Sequence, residues 1–155
     1  MYPSNKEALA KLVSELRVKL PSDYESFLEQ HDGNREVYVH GDTWSLYTIQ
    51  ELMEPPFNRM KPKSIPTALY MRHFIHHNGG YEARDQIEVI DQPSLPAGQV
   101  AEMLCIGYCC GSADYLLLDN STRKIYAFYT DGFYLEHCTN SFQELLQLPE
   151  DAVEE

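Results

Sequence analysis

The sequence lacks several features that would assign it to a class at once. Its 155 residues contain no run of about 18 apolar residues, which is the minimum for a membrane-spanning helix. The first residues mix charged and apolar side chains, so they do not resemble a secretory leader. Internal repeats and low-complexity tracts are absent as well. We therefore expect a cytoplasmic protein that folds as one domain over residues 1–155.

Basic residues are scarce. Lys and Arg total 12 against 24 Asp and Glu, which gives a formal net charge of −12 at pH 7. A nucleic-acid backbone is bound by a face rich in Lys and Arg, so direct nucleic-acid binding is not expected. An acidic surface instead steers basic partners toward itself. The 11 Tyr, 6 Phe and one Trp exclude a disordered acidic chain.

Signatures of catalysis and of metal binding are also missing. No P-loop, nucleophile elbow or paired-carboxylate pattern occurs, and the cysteines lack the Cys-x2-Cys spacing of zinc knuckles. Two clusters leave a small metal- or thiol-dependent enzyme open as an alternative: His73, His76 and His77, and Cys105, Cys109, Cys110 and Cys138. In a cytoplasmic chain, free and buried thiols explain the cysteines more simply. We predict no catalytic residue, no metal and no cofactor.

Helix starts are marked by Ser/Thr-x-x-Glu, a capping box in which two residues satisfy each other's backbone N–H groups. The pattern occurs at Ser4, Ser22, Thr48 and Ser141, each followed by apolar residues at helical spacing. A fifth helix is predicted from residue 66 to residue 77. Prolines crowd the stretch that begins at residue 55, so we interpret residues 55–100 as a Pro-rich variable insert on the surface.

Six strands are predicted, at residues 36–40, 44–47, 103–108, 114–119, 124–129 and 133–138. Asp131-Gly132 predicts a type I′ hairpin turn, which requires positive φ at both positions. The apolar run from Tyr115 to Leu118 indicates a strand covered on both faces. The expected class is α+β. A mostly antiparallel central sheet, with a C-terminal meander of about four strands, is packed by helices from both chain ends.

Short motifs in a fixed order carry a resemblance to a known family. They are spread from Leu9 to Leu148, and they comprise Leu20–Tyr24, Trp44–Leu52, Cys105–Tyr108, Tyr115–Asp119 and Ser141–Leu146. In this order the chain resembles the SUKH superfamily, in the branch named for yeast cell-wall-synthesis regulators. Most matched positions look like fold determinants; Gly107, for example, suits a bulge or a close approach of two strands.

The resemblance implies a binding scaffold without a catalytic set. Bacterial members of the superfamily are mostly immunity proteins that bind toxins, often nucleases or deaminases, and yeast members are cell-wall and signalling regulators. We therefore expect a non-enzymatic domain, a monomer or a dimer, that neutralises a cognate basic toxin by direct binding. A housekeeping regulator or scaffold is the alternative.

Candidate contact residues follow from the chemistry of such interfaces. Acidic side chains steer a basic partner, and aromatic side chains anchor it. The candidates are three acidic and three aromatic residues: Asp114, Asp119 and Asp131, and Trp44, Tyr129 and Tyr134. Trp44 is open between a core position and an anchor, and turn chemistry is a simpler explanation for the aspartates.

Overall fold

The computed structural model describes residues 5–31, 35–54, 66–78 and 85–149. Six α-helices lie in these residues: α1 (Asn5–Leu16), α2 (Ser22–His31), α3 (Ile49–Met53), α4 (Tyr70–Asn78), α5 (Ala97–Ala101) and α6 (Phe142–Leu146). Eight strands accompany them: β1 (Glu36–Val39), β2 (Asp42–Leu46), β3 (Gln86–Val89), β4 (Gln92–Pro96), β5 (Leu104–Cys109), β6 (Tyr115–Leu118), β7 (Ile125–Tyr129) and β8 (Tyr134–Thr139). Within these ranges, no helix combines the length and the apolar character needed to cross a membrane.

The eight strands form one sheet in the order β1-β2-β5-β6-β7-β8-β3-β4. Neighbouring strands run antiparallel, except that β3 pairs with β8 in parallel. Strands β5 to β8 are consecutive in both sequence and space, because short turns join each to the next. This arrangement confirms the α+β class and the predicted four-strand meander.

Both faces of the sheet are buried at its centre. Leu116, Leu117 and Leu118 on β6 are fully inaccessible to solvent. Leu116 and Leu118 pack with α1, α2, α3 and α6 on the side that we call face A. Leu117 packs with α4 and α5 on the opposite side, face B. The structure thus confirms that the apolar strand β6 is covered on both faces.

The helices that cover face B come from the middle of the chain. Helices from both chain ends cover face A, as predicted, whereas α4 and α5 lie in the segment interpreted as an insert. Strands β3 and β4 and helix α5 were not predicted there. Pro93 and Pro96 lie in β4, which is an edge strand. Because no strand lies on its outer side, a proline without an N–H group costs no hydrogen bond there. Residues 55–65, where the prolines are densest, lie outside the described residues.

Two of the predicted capping boxes are visible in detail. At Thr48 the box is complete: Glu51 N–H donates to Thr48 Oγ1 (3.1 Å), and Thr48 N–H donates to Glu51 Oε1 (2.9 Å). At Ser141 it is displaced, because Glu144 Oε1 accepts from Asn140 N–H (2.9 Å) instead. Helix α2 begins at Ser22 itself. Ser4 lies outside the described residues.

The hairpin between β7 and β8 is confirmed, but its predicted turn type is wrong. The loop has four residues, 130–133, and Phe133 N–H donates to the Tyr129 carbonyl (2.8 Å). The left-handed residue is Phe133, with φ 59°. Its ring is buried against Phe128 and Phe74. Burial of a Phe side chain is worth roughly 2–3 kcal/mol, which offsets about 1–2 kcal/mol of left-handed strain.

Gly107 performs both roles that its sequence position suggested. The pairing of β5 with β6 shifts register between Cys105 and Gly107, which marks a bulge. On the other side of β5, a Cβ at Gly107 would lie 2.6 Å from the Ser45 carbonyl oxygen on β2. The absence of a side chain therefore allows β2 to approach β5.

Candidate partner-binding surface

One end of the sheet collects three turns, because β1, β5 and β7 all run toward it. The turns are residues 40–42, 110–114 and 130–133. Strand β3 is parallel to β8 and so begins at the same end, directly after Asp85. We call these three turns and Asp85 the turn end. It carries Asp42, Asp85, Asp114 and Asp131, and these described residues include no Lys or Arg; Arg84, which precedes Asp85, lies outside the described residues.

Asp114 links two of these turns. Its Oδ1 accepts from Thr130 N–H (3.0 Å), and its Oδ2 accepts from Ser112 Oγ (2.7 Å). The carboxylate thereby holds the β5–β6 turn beside the β7–β8 turn while remaining partly exposed. Asp131 is exposed in the neighbouring turn. Two predicted contact residues therefore stand together at the turn end.

A group of four side chains lies on face A beside the turn end. The rings of Tyr129 and Tyr134 are 5.1 Å apart at 32°. Tyr129 Oη donates to Glu136 Oε1 (2.9 Å), and His40 Nε2 lies 3.6 Å from the same oxygen. We call these four residues the tyrosine–carboxylate cluster. Burial and the hydrogen bond to Glu136 both raise the pKa of Tyr129 above its ordinary value, so the phenol is a donor.

The contact between His40 and Glu136 shows how strongly the sheet curls. Strands β1 and β8 are five positions apart in the sheet order, which is about 24 Å in a flat sheet at ~4.8 Å per strand. His40, in the β1–β2 turn, nevertheless contacts Glu136 on β8. The sheet is therefore concave on face A, and the β1–β2 turn reaches across the meander.

Trp44 lies in the interior of this concave face. Its side chain is fully buried, its ring is 6.4 Å from that of Tyr129, and its Nε1–H donates to the Val39 carbonyl at 3.4 Å. Of the two alternatives that the sequence left open, the structure places Trp44 in the core. It supports the tyrosine–carboxylate cluster from below instead of forming part of the surface.

Asp119 lies at the opposite end of the sheet, after β6. It is only 3% exposed and accepts hydrogen bonds from Gln99 Nε2 (2.7 Å), Ser121 N–H (3.0 Å) and Ser121 Oγ (2.8 Å). Burial opposes its ionisation, but these bonds outweigh burial and lower its pKa. Asp119 therefore organises a turn, and it is not part of the surface that holds Asp114, Asp131, Tyr129 and Tyr134.

Two members of the cluster were missed by sequence reasoning. Glu136 had a usable signal, because strand alternation places it on the same face of β8 as Tyr134. His40 had none, since its contact arises from the curl of the sheet and joins residues far apart in sequence. Glu88, which pairs with Tyr134 across β3 and β8, is exposed beside them.

The cysteine and histidine clusters do not converge in the described residues. Within those residues, no group of three His, Cys, Asp or Glu side chains is arranged to hold a metal ion. The side chains of His76 and His77 are outside the described set. Burial raises the pKa of Cys105 to about 12, which disfavours the thiolate that a nucleophile requires. Cys110 is exposed, and its Sγ lies 3.5 Å from Ser45 Oγ.

Comparison with known proteins gives one match. The sequence model described as the SMI1 / KNR4 family (SUKH-1) matches residues 3–148, and this range includes all six α-helices and all eight strands given above. No curated protein matches the chain, and no solved structure matches it.

Proposed function

The chain belongs to the SMI1 / KNR4 family (SUKH-1), and from this premise we propose that it is an immunity-type binding protein. In this role it is not an enzyme. It neutralises a basic bacterial toxin of the nuclease or deaminase type by binding it directly, in the cytoplasm. The family supports a protein partner, and the charge of the turn end supports a basic one.

The observation that carries this proposal is the composition of the turn end. Four aspartates from different parts of the sequence lie along this end of the sheet, and none of the described residues of its turns is a Lys or Arg. A patch of one sign attracts an oppositely charged protein and raises its association rate. The half-buried rings of Tyr129 and Tyr134 lie beside this patch, and Tyr is a favoured anchor at protein interfaces. Steering and anchoring groups are thus adjacent.

The test is co-expression with the toxin domain encoded next to this protein. We expect the protein to restore growth of cells that express the toxin, and the two purified chains to form a stable complex. Absence of both rescue and complex would overturn the proposal. If no toxin is encoded beside it, the regulator or scaffold alternative takes its place.

The contribution of the turn end is measured with matched charge variants. Asp42→Asn with Asp131→Asn removes two exposed charges from the turn end. Glu15→Gln with Glu29→Gln removes two exposed charges from α1 and α2. At low salt, we expect the first pair to reduce the association rate by roughly threefold and the second pair to leave it nearly unchanged. Equal effects would mean that net charge alone, and not the turn end, attracts the partner.

A further inference from the structure

The tyrosine–carboxylate cluster lies where face A is open to solvent. Glu88, its neighbour on β3, is exposed, and Tyr134 and Glu136 are only partly covered. We propose that this cluster binds a guanidinium group, so that it receives an arginine side chain of a basic protein partner. The inference rests on the proposed function for the identity of the partner, but the cluster's preference for arginine can be tested separately.

The carboxylate of Glu136 provides the charge. Oε1 accepts from Tyr129 Oη at 2.9 Å and is 3.6 Å from His40 Nε2. In the described part of the chain, no Lys or Arg forms an ion pair with Glu136, and Oε2 makes no hydrogen bond to a protein group. Glu88 and Asp131 add negative charge on either side. Among the described residues, no Lys or Arg therefore competes with an incoming cation for this carboxylate.

The two tyrosine rings provide the surface on which a planar cation can stack. Their centroids are 5.1 Å apart, their planes are tilted by 32°, and both residues are partly exposed. A guanidinium stacks on such a ring face and also donates two parallel hydrogen bonds to a carboxylate. An ammonium group acts as a point charge and stacks less well. This combination of ring and carboxylate favours arginine over lysine.

Gly132 keeps the ring of Tyr134 in position. A Cβ at Gly132 would lie 2.5 Å from Tyr134 Cδ1, so the ring covers the bare backbone of the β7–β8 turn. Alanine at this position must push the ring aside, and this removes neither an aromatic group nor a charge. Gly132→Ala is therefore a variant that displaces the Tyr134 ring without changing any charge or aromatic group.

The experiment measures the binding of oligoarginine and oligolysine peptides of equal length, by fluorescence anisotropy at low salt. We expect the arginine peptide to bind the native protein more tightly. Tyr134→Leu, Gly132→Ala and Glu136→Gln should each weaken arginine binding by about threefold, the size of one exposed cation–π contact or ion pair. Tyr134→Phe should retain the binding, because the ring face remains.

Matched controls separate the cluster from general effects. Tyr108→Leu removes an exposed tyrosine from face B, and Glu15→Gln removes an exposed charge from α1. Equal binding of both peptides, or equal losses in the cluster and control variants, would overturn the arginine site. Unfolding curves identify any variant that fails to fold. In that case Tyr134→Phe and Glu136→Gln decide the question: the first should retain arginine binding, and the second should weaken it.

The outcome can be distinguished from failure of the proposed function. If the toxin complex forms but is unaffected by Glu136→Gln and Gly132→Ala, the immunity role stands and the arginine site is wrong. If no toxin complex forms but the arginine peptide binds at the cluster, the site stands and its partner is a different basic protein.

Discussion

Replacement of Gly107 by alanine tests how closely β2 and β5 are packed. The new Cβ would lie 2.6 Å from the Ser45 carbonyl oxygen, 3.3 Å from Leu46 Cδ2 and 3.4 Å from Leu46 Cα. The oxygen belongs to the backbone, so it cannot rotate away as a flexible side chain would. Either β2 must move outward or the bulge in β5 must rearrange.

The size of the effect follows from this geometry. Real Cβ contacts essentially never fall below 3.0 Å, so the pair must separate by several tenths of an ångström. Movement of β2 also strains the hydrogen bond from Tyr47 N–H to the Ile106 carbonyl (2.9 Å). Overpacking of this kind costs about 1–3 kcal/mol. For a chain of this length, a loss of about 2 kcal/mol lowers Tm by roughly 4–8 °C.

The matched control is the same substitution at Gly98. This glycine lies in α5, and a Cβ there would have no heavy atom within 4 Å. Alanine is favoured over glycine in a helix by about 0.5–1 kcal/mol, so Gly98→Ala should stabilise the protein. Thermal and urea unfolding, followed by circular dichroism, measure both variants. A change in Tm of less than about 1 °C for Gly107→Ala would refute the close approach of β2 to β5.

Three further predictions concern buried groups. Asp119→Asn should destabilise the protein by about 1 kcal/mol at pH 7, with Asp131→Asn as the exposed control. The unfolding midpoints of the native protein and the Asp119→Asn variant should converge as the pH falls below 3.8, the ordinary Asp pKa, because a lowered pKa stabilises the native state only above that range. Tyr24→Phe should stabilise the protein by roughly 1 kcal/mol in urea unfolding, because it removes a buried hydroxyl that has no hydrogen-bond partner in the described residues; a loss of stability would mean that the hydroxyl is satisfied. Dithiobis(nitrobenzoate) should label Cys110 rapidly in the native protein, whereas Cys105 should react only after unfolding, and rapid labelling of Cys105 would contradict its burial.

The central strands could be predicted because their local patterns agree with their surroundings. In β7, alternation separates Tyr126 and Phe128 on face B from Ile125 and Ala127 on face A, as the sequence suggests. Strand β4 could not be predicted in this way. Its prolines are typical of loops, and they are tolerated only because β4 is at the sheet edge, a property of the whole topology.

The turn at Asp131-Gly132 shows how tertiary packing overrides a local signal. The dipeptide favours a two-residue type I′ turn, but Phe133 gains more by burying its ring in the face B core than the tight turn offers. The type I′ conformation is found instead at His40-Gly41, where both residues have positive φ. No apolar side chain competes for the core at those two positions.

The candidate surface depends on the core beneath it, which is why the sequence alone leaves Trp44 open between a core position and an anchor. An aromatic residue near acidic turns suggests an anchor, but Trp44 fills the concavity of face A under Tyr129. Its ring contacts Tyr129, whose hydroxyl donates to the Glu136 oxygen that also lies near His40. Truncation of Trp44 to alanine would cost about 3–5 kcal/mol and disturb the cluster without removing any contact to a partner. Loss of binding in such a variant is therefore no evidence of a contact, whereas loss in Glu136→Gln, on the surface itself, is.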